Sequence, residues 1–319
     1  MPDYILHIEI GEEILKKVSF NDILNKYYAN YILGLQGPDL FFYRAFFPGI
    51  NGRLSKILGK LLHNEKSSVW SYLALNSLKY LENKDEKDEF FSYFIGFFTH
   101  LFTDYYFHPY IKYRTEIEYN HRRLWIHKRF EMDIDCAYVK YKSNNFSPLP
   151  YIKKLMILKD FPKNLAKFLA FLLKDAYDIS FPICCIASTF HSSYKLMKFV
   201  ISFAENPGPI RKYIIHPVVF TFLLRGKYIN FLTHPKKEVF DDPLNLKHCP
   251  WIHPLTKEEF TFSLLDIKEM LINFLRELLP SIYMFIYEDG NYPEILTFNF
   301  SFSQGIKVGG NNEKISWIF

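Results

Sequence analysis

The chain has 319 residues, 49% of them hydrophobic, with 33 Phe and 23 Tyr. That composition suits one large helical core or two domains and excludes a disordered chain. A formal net charge of +5, from 39 basic and 34 acidic residues, is too mild to require a stable nucleic-acid partner.

The N-terminal residues Met1-Pro2-Asp3-Tyr4 lack a basic region followed by a long apolar one, so a cytoplasmic protein without a signal peptide is expected. Apolar residues recur at three- and four-residue steps from Met1 to about Leu33 and predict helix. Residues 34–52, with Gly34, Gly37, Pro38, Pro48, Gly49 and Gly52, read as loop. Arg53 to Leu81 reads as one long helix or two short ones, and Glu82 to Asp88 as a charged connection. Phe90 to Phe107 is a helix that Pro109 should end or bend. The stretch Phe90 to Ile111 holds no Lys or Arg and reaches the roughly 20 residues of a membrane span. It also carries His100, Asp104 and His108, whose cost in lipid points instead to a buried helix with polar work to do.

Tyr110 to Asn120 reads as loop and Arg122 to Lys140 as a second helix bearing candidate ligands. Ser143 to Pro150 is a break, and helical patterns resume from Ile152 to about Glu205. Asn206-Pro207-Gly208-Pro209 is the strongest punctuation and sets the expected division: a domain at 1–205 and a helical extension at 206–319, packed on it or separate. A Pro- and His-rich loop (234–254), a helix from about Lys257 to Ile286, and a short strand-like alternation at Phe298–Phe302 follow. The expected fold class is all-α. Cys136, Cys184, Cys185 and Cys249 form no CxxC pair and read as free buried thiols.

The chemistry concentrates in two stripes. His100, Asp104 and His108 stand four residues apart, and a four-residue step turns a helix about 40° past a full turn, so the three share one slowly drifting face. His127, Glu131 and Asp135 repeat the pattern. His and carboxylate residues are the ligands of catalytic zinc. Asp39, after Gly37-Pro38, comes from the glycine-rich segment, while His7 and His63 lie on predicted helices. His121 competes with His127, which is preferred because Glu131 follows at i+4. Asp135 reads as a hydrogen-bond partner of a ligand imidazole. Lys112, Arg114, Arg122, Arg123, Lys128 and Arg129 form a basic face, read as solvated although able to hold phosphate. Phe41, Phe42, Tyr43, Tyr105 and Tyr106 read as core aromatics, and His248, Cys249 and His253 lack a fourth ligand.

Gly37-Pro38-Asp39, His100-xxx-Asp104, His108-Pro109 and His127-xxx-Glu131, in this order after His7 and His63, resemble the zinc-dependent phospholipase C family and its wider superfamily with S1/P1-type nucleases. The resemblance runs from His7 to Asp135, and the segment Asp242 to Pro254, with Asn245 and Trp251-Ile252-His253-Pro254, is similar to a segment of uncharacterised bacterial members. It implies that Asp39, His63, His100 and Asp104 hold one zinc, and that His108, His127 and Glu131 hold a second. It further implies that Asp104 bridges to a third zinc with His7. In the secreted phospholipases the amine of an N-terminal tryptophan completes that third site, and no tryptophan precedes His7 here. Asp39 is the expected general base. The implied activity is phospholipase C-type cleavage of a phosphodiester by zinc-activated water, with phospholipid as substrate and transient membrane-surface contact. The alternatives are an S1/P1-type single-strand nuclease and a non-catalytic, zinc-stabilised binding protein.

Overall fold

The computed structural model describes residues 4–45, 50–118, 124–143, 149–155, 162–179 and 240–308, with isolated positions 147, 157, 191, 192, 194, 195 and 198. The architecture is all-α. The N-terminal helices are α1 (Tyr4–Leu15), α2 (Asn21–Lys26), α3 (Tyr28–Gly34), α4 (Leu40–Ala45), α5 (Ile50–Asn64) and α6 (Ser67–Lys79). α1, α2, α3 and α6 pack on α7 (Lys84–Lys112), and α8 (Leu124–Ser143), α9 (Leu149–Leu155) and α10 (Lys163–Tyr177) follow. Near the C-terminus, α11 (Leu264–Tyr287) lies between two small antiparallel pairs: β1 (Trp251–Ile252) with β2 (Glu259–Phe260), and β3 (Asn299–Ser301) with β4 (Ile306–Val308).

α7 is the central helix. It is apolar all round, so no single stripe can satisfy it and it is buried from Phe90 to Ile111. Asn83 caps it by accepting a hydrogen bond from Glu86 N–H at 3.2 Å, and Asp85 and Glu86 oppose the positive end of its dipole. Phe91, Phe94, Phe98 and Phe102 are fully buried. Each contributes roughly 1.5–3 kcal/mol relative to exposure, which offsets the cost of taking the same helix's imidazoles and carboxylate out of water.

Several boundaries differ from the sequence expectation. The segment read as loop after Gly34 contains a 3₁₀ turn (Gly37–Asp39), α4 and the start of α5. Gly34 serves close approach instead of chain reversal: a Cβ on it would sit 2.1 Å from the Tyr93 carbonyl oxygen, so α3 can lie directly against α7. The charged segment before Phe90 is the first turn of α7. Pro109 does not end α7, which runs on to Lys112 and then widens into a π-helical stretch at Tyr113–Glu118, where a loop was expected. The predicted loop at 234–254 contains β1 among its described residues.

α11 begins at a capping box in which Ser263 and Asp266 satisfy each other's backbone N–H. Among the described residues it is the helix long and apolar enough to cross a membrane. Its buried stripe, including Leu271, Leu275, Leu278 and Ile282, joins the same hydrophobic cluster as α1, α6 and α7. Tyr287 at its end donates to Asp88 of α7 at 2.6 Å. The Asn206–Pro209 punctuation, His121, Cys184 and Cys185 lie outside the described residues. Cys136 is buried, as expected, whereas Cys249 is a free but exposed thiol.

Candidate metal centre

The close contact of α3 with α7 brings the Gly37-Pro38-Asp39 turn onto the ligand face of α7. Gly37 has φ +50, and a Cβ there would lie 2.3 Å from the His100 ring. A side chain at 37 would therefore be strained and would displace an imidazole, which is the physical reason for glycine two residues before Asp39.

Asp104 is fully buried at the middle of the site. Its Oδ1 faces His7 Nε2 at 3.4 Å, and its Oδ2 faces His63 Nε2 at 3.3 Å and His100 Nε2 at 3.5 Å. Asp39 Oδ1 lies 3.4 Å from His63 Nε2. These separations are long for hydrogen bonds. Both Asp104 oxygens, Asp39 Oδ1, and the Nε2 atoms of His7, His63 and His100 are buried with no hydrogen-bond partner among the described residues. So many converging orphaned atoms are costly unless something binds them together.

The opposite ring nitrogens explain the aim. His63 Nδ1–H donates to the Gly59 carbonyl at 2.6 Å and His100 Nδ1–H to the Leu35 carbonyl at 3.0 Å. His108 Nδ1–H donates to the Asp104 carbonyl at 3.0 Å. A carbonyl can only accept, so each bond places a proton on Nδ1 and leaves Nε2 as the nitrogen able to ligate a metal. His7 stacks on His100 with ring centroids 4.1 Å apart.

One turn along α7, His108 meets His127 and Glu131 of α8. The His108 and His127 rings are stacked at 5.8 Å, and His127 Nε2 is 2.9 Å from Glu131 Oε1. His127 Nδ1 lies 3.4 Å from the Thr115 hydroxyl, which itself donates to the Ile111 carbonyl at 2.8 Å. Thr115 sits in the π-helical stretch, and sequence reasoning missed it because that stretch was read as loop.

The predicted residues thus gather into three sets whose ligating atoms lie within 4.8 Å of one another: Asp39, His63 and His100; His7, His100 and Asp104; and His108, His127 and Glu131. Nitrogen and carboxylate donors of this kind suit zinc. Asp135 departs from its expected role. Its carboxylate accepts from the Ile5 and Leu6 N–H groups at 3.0 and 3.1 Å, so it caps α1 and ties the helix bearing His7 to the helix bearing Glu131.

The basic residues beside the site are not a free face where described. Arg114 is buried, donates to the carbonyls of Asp241 and Asp242, and lies over the Phe130 ring. Lys128 and Arg129 sit 3.5 Å from Glu131 and Asp133. Phe41, Tyr105 and Tyr106 are core, whereas Phe42 is half-buried and stacks on His63 at 5.5 Å. His253 is buried and bonded to backbone on both ring nitrogens.

The electrostatics are uneven. Burial alone would lower the His63 pKa, but the Asp104 and Asp39 carboxylates outweigh it and push the imidazole up to about 10. His100, held by burial and by His7, falls to about 4. Burial would raise Asp104, yet the surrounding imidazoles hold it well below the usual carboxylate range. His108 is also pushed well down, chiefly by burial.

At neutral pH the metal-free chain therefore carries a proton on His63 and none on His100. An imidazole must be neutral to ligate zinc, so binding at the His63 set should release about one proton. Calorimetric titration with zinc at pH 7, in buffers of different ionisation enthalpy, should detect it, and zinc binding without proton release would show that His63 is neutral. The stability linkage has a definite sign. The folded-state pKa is raised, so the His63 contribution in the metal-free protein is complete below about 6.5. It is lost as pH rises through about 10.

In comparison with known families, the sequence profile of the family described as zinc dependent phospholipase C matches residues 6–179. No curated protein and no solved structure matches the chain.

Proposed function

Because the chain belongs to the zinc-dependent phospholipase C family, we propose that it is a zinc-dependent hydrolase that cleaves phospholipid phosphodiesters. Asp39, His63, His100 and Asp104 would hold one zinc, His108, His127 and Glu131 a second, and His7 with Asp104 would contribute to a third. The carrying observation is the convergence of orphaned, buried nitrogen and oxygen atoms on shared points. Bound zinc supplies positive charge that stabilises the phosphoryl oxygens and makes water more acidic.

The chain's own groups supply the rest. Asp39 comes from a turn, and its side chain is 18% exposed while the Asp104 side chain beside it is fully buried. It is therefore the carboxylate best placed to take a proton from attacking water. The water oxygen forms the new bond to phosphorus, the bond to the glycerol oxygen breaks, and the proton passes to the departing diacylglycerol. Phe42, half-buried, stacks on the His63 ring. Phospholipid as substrate entails transient contact with a membrane surface.

The test is a substrate panel with zinc-loaded protein: phospholipid vesicles assayed for diacylglycerol and phosphorylated headgroup, beside a single-stranded DNA oligonucleotide. Zinc-dependent release of diacylglycerol is expected. Cleavage of the oligonucleotide alone would replace the phospholipase reading by the nuclease one, and inertness towards both would leave a zinc-stabilised binding protein.

A further inference from the structure

The segment from Asn299 to Gly305 lies far outside residues 6–179, yet it touches two of the helices that carry the metal centre. Phe302 N–H donates to the carbonyl of His63 at 2.8 Å. Phe300 N–H donates to Ser67 Oγ at 2.6 Å, and Asn299 Oδ1 accepts from the Ser68 N–H and hydroxyl at 3.2 and 2.8 Å. Asn64 Oδ1 accepts from the hydroxyls of Ser301, at 2.8 Å, and Ser303. Five consecutive residues thus bond to the turn that begins at His63.

The other side of the hairpin meets α7 at Tyr105 and Pro109, the residues that follow Asp104 and His108. Gly305 has φ +62, and a Cβ there would lie 2.4 Å from Pro109 Cγ and 2.5 Å from the Tyr105 carbonyl oxygen. Pro109 has no N–H to offer that carbonyl in the helical pattern, and Gly305 packs against it. The Phe300 and Phe302 rings meet Phe102 edge-on at 5.5 Å. Buried His253 holds the hairpin in turn, donating from Nε2 to the Gly305 carbonyl at 3.2 Å.

A hairpin over a core is ordinarily packing alone. Here α5, which carries His63, packs chiefly on α4 and little on α7. Its ligand must nevertheless meet His100 and Asp104 of α7. We propose that residues 299–305 are positioning residues for the metal centre, fixing His63 on α5 against the ligands of α7. The inference rests on the zinc reading.

The double variant Ser301→Ala with Ser303→Ala removes two hydroxyl donors and leaves the aromatic packing in place. Three measurements on the full chain decide: circular dichroism of the metal-free protein, zinc affinity by competition with a chromophoric chelator, and the visible absorption of the cobalt-substituted protein. Expected are an unchanged fold, one class of zinc site weakened about 10–100-fold, the scale for groups that orient ligands, a second class unchanged, and an altered cobalt spectrum. Zinc affinities and a cobalt spectrum equal to the parent's would overturn the proposal. If the double variant does not fold, Ser303→Ala alone is judged by the same criteria. A parent protein that takes up no zinc at all would instead remove the zinc reading.

Discussion

Replacing Asp39 by Asn is expected to reduce phosphodiester hydrolysis by about 10²–10⁴-fold, the usual contribution of a general base, while the zinc of the His108, His127 and Glu131 set is retained. Asn preserves shape and one ligating oxygen but removes charge and basicity. Asp39 belongs to a different set from Glu131 and comes from a turn whose backbone is held by Gly37 against His100. His100 and His108, by contrast, come from within a helix and are buried. The check is turnover on whichever phosphodiester the panel identifies, with zinc content measured on the same samples. Near-parental turnover would move the base elsewhere, with Glu65, next to the His63 turn, the first alternative.

Asp104→Asn should have the largest effect on metal content and on stability. Asp104 is fully buried, faces His7 with one oxygen and His63 and His100 with the other, and supports the proton on His63. Removing its charge leaves a buried imidazolium short of a counter-charge. Breaking a buried pair from one side costs roughly 3–5 kcal/mol. Asp135→Asn is the control on the neighbouring stripe. Its carboxylate caps α1 through two backbone N–H groups, one on each oxygen, so Asn keeps one acceptor and loses the other, and the cost should lie near a capping loss of about 0.5–2 kcal/mol. Thermal unfolding and zinc stoichiometry of the two variants should separate accordingly. Equal zinc retention in both would mean that Asp104 is not a shared ligand.

How much of this was legible before the fold was known depends on the residue. His100, Asp104 and His108 share one stripe of an apolar helix, a weak signal alone that gained its weight from the ordered set with His7, Asp39, His63, His127 and Glu131. Asp39 was legible through the Gly37-Pro38 that precedes it, although the segment was read as loop where the chain forms a 3₁₀ turn and helices. What could not be read were contacts made by backbone. The carbonyls of Gly59, Leu35 and Asp104 aim three imidazoles, and a carbonyl leaves no trace in residue identity. Pro109 misled for a related reason: proline is expected to end a helix, but here Gly305, about two hundred residues away in sequence, packs against the place where the hydrogen bond is missing. Asp135 shows a third limit. Its position on the stripe was correct, but its partners are the first N–H groups of α1, which no periodicity reveals.

The central claim is that these converging side chains hold zinc, and elemental analysis of the freshly purified full chain, followed by zinc titration after chelation, tests it most directly. The three ligand sets predict at least two zinc equivalents per chain, recovered on titration. A protein that contains no zinc and takes up none would contradict the account.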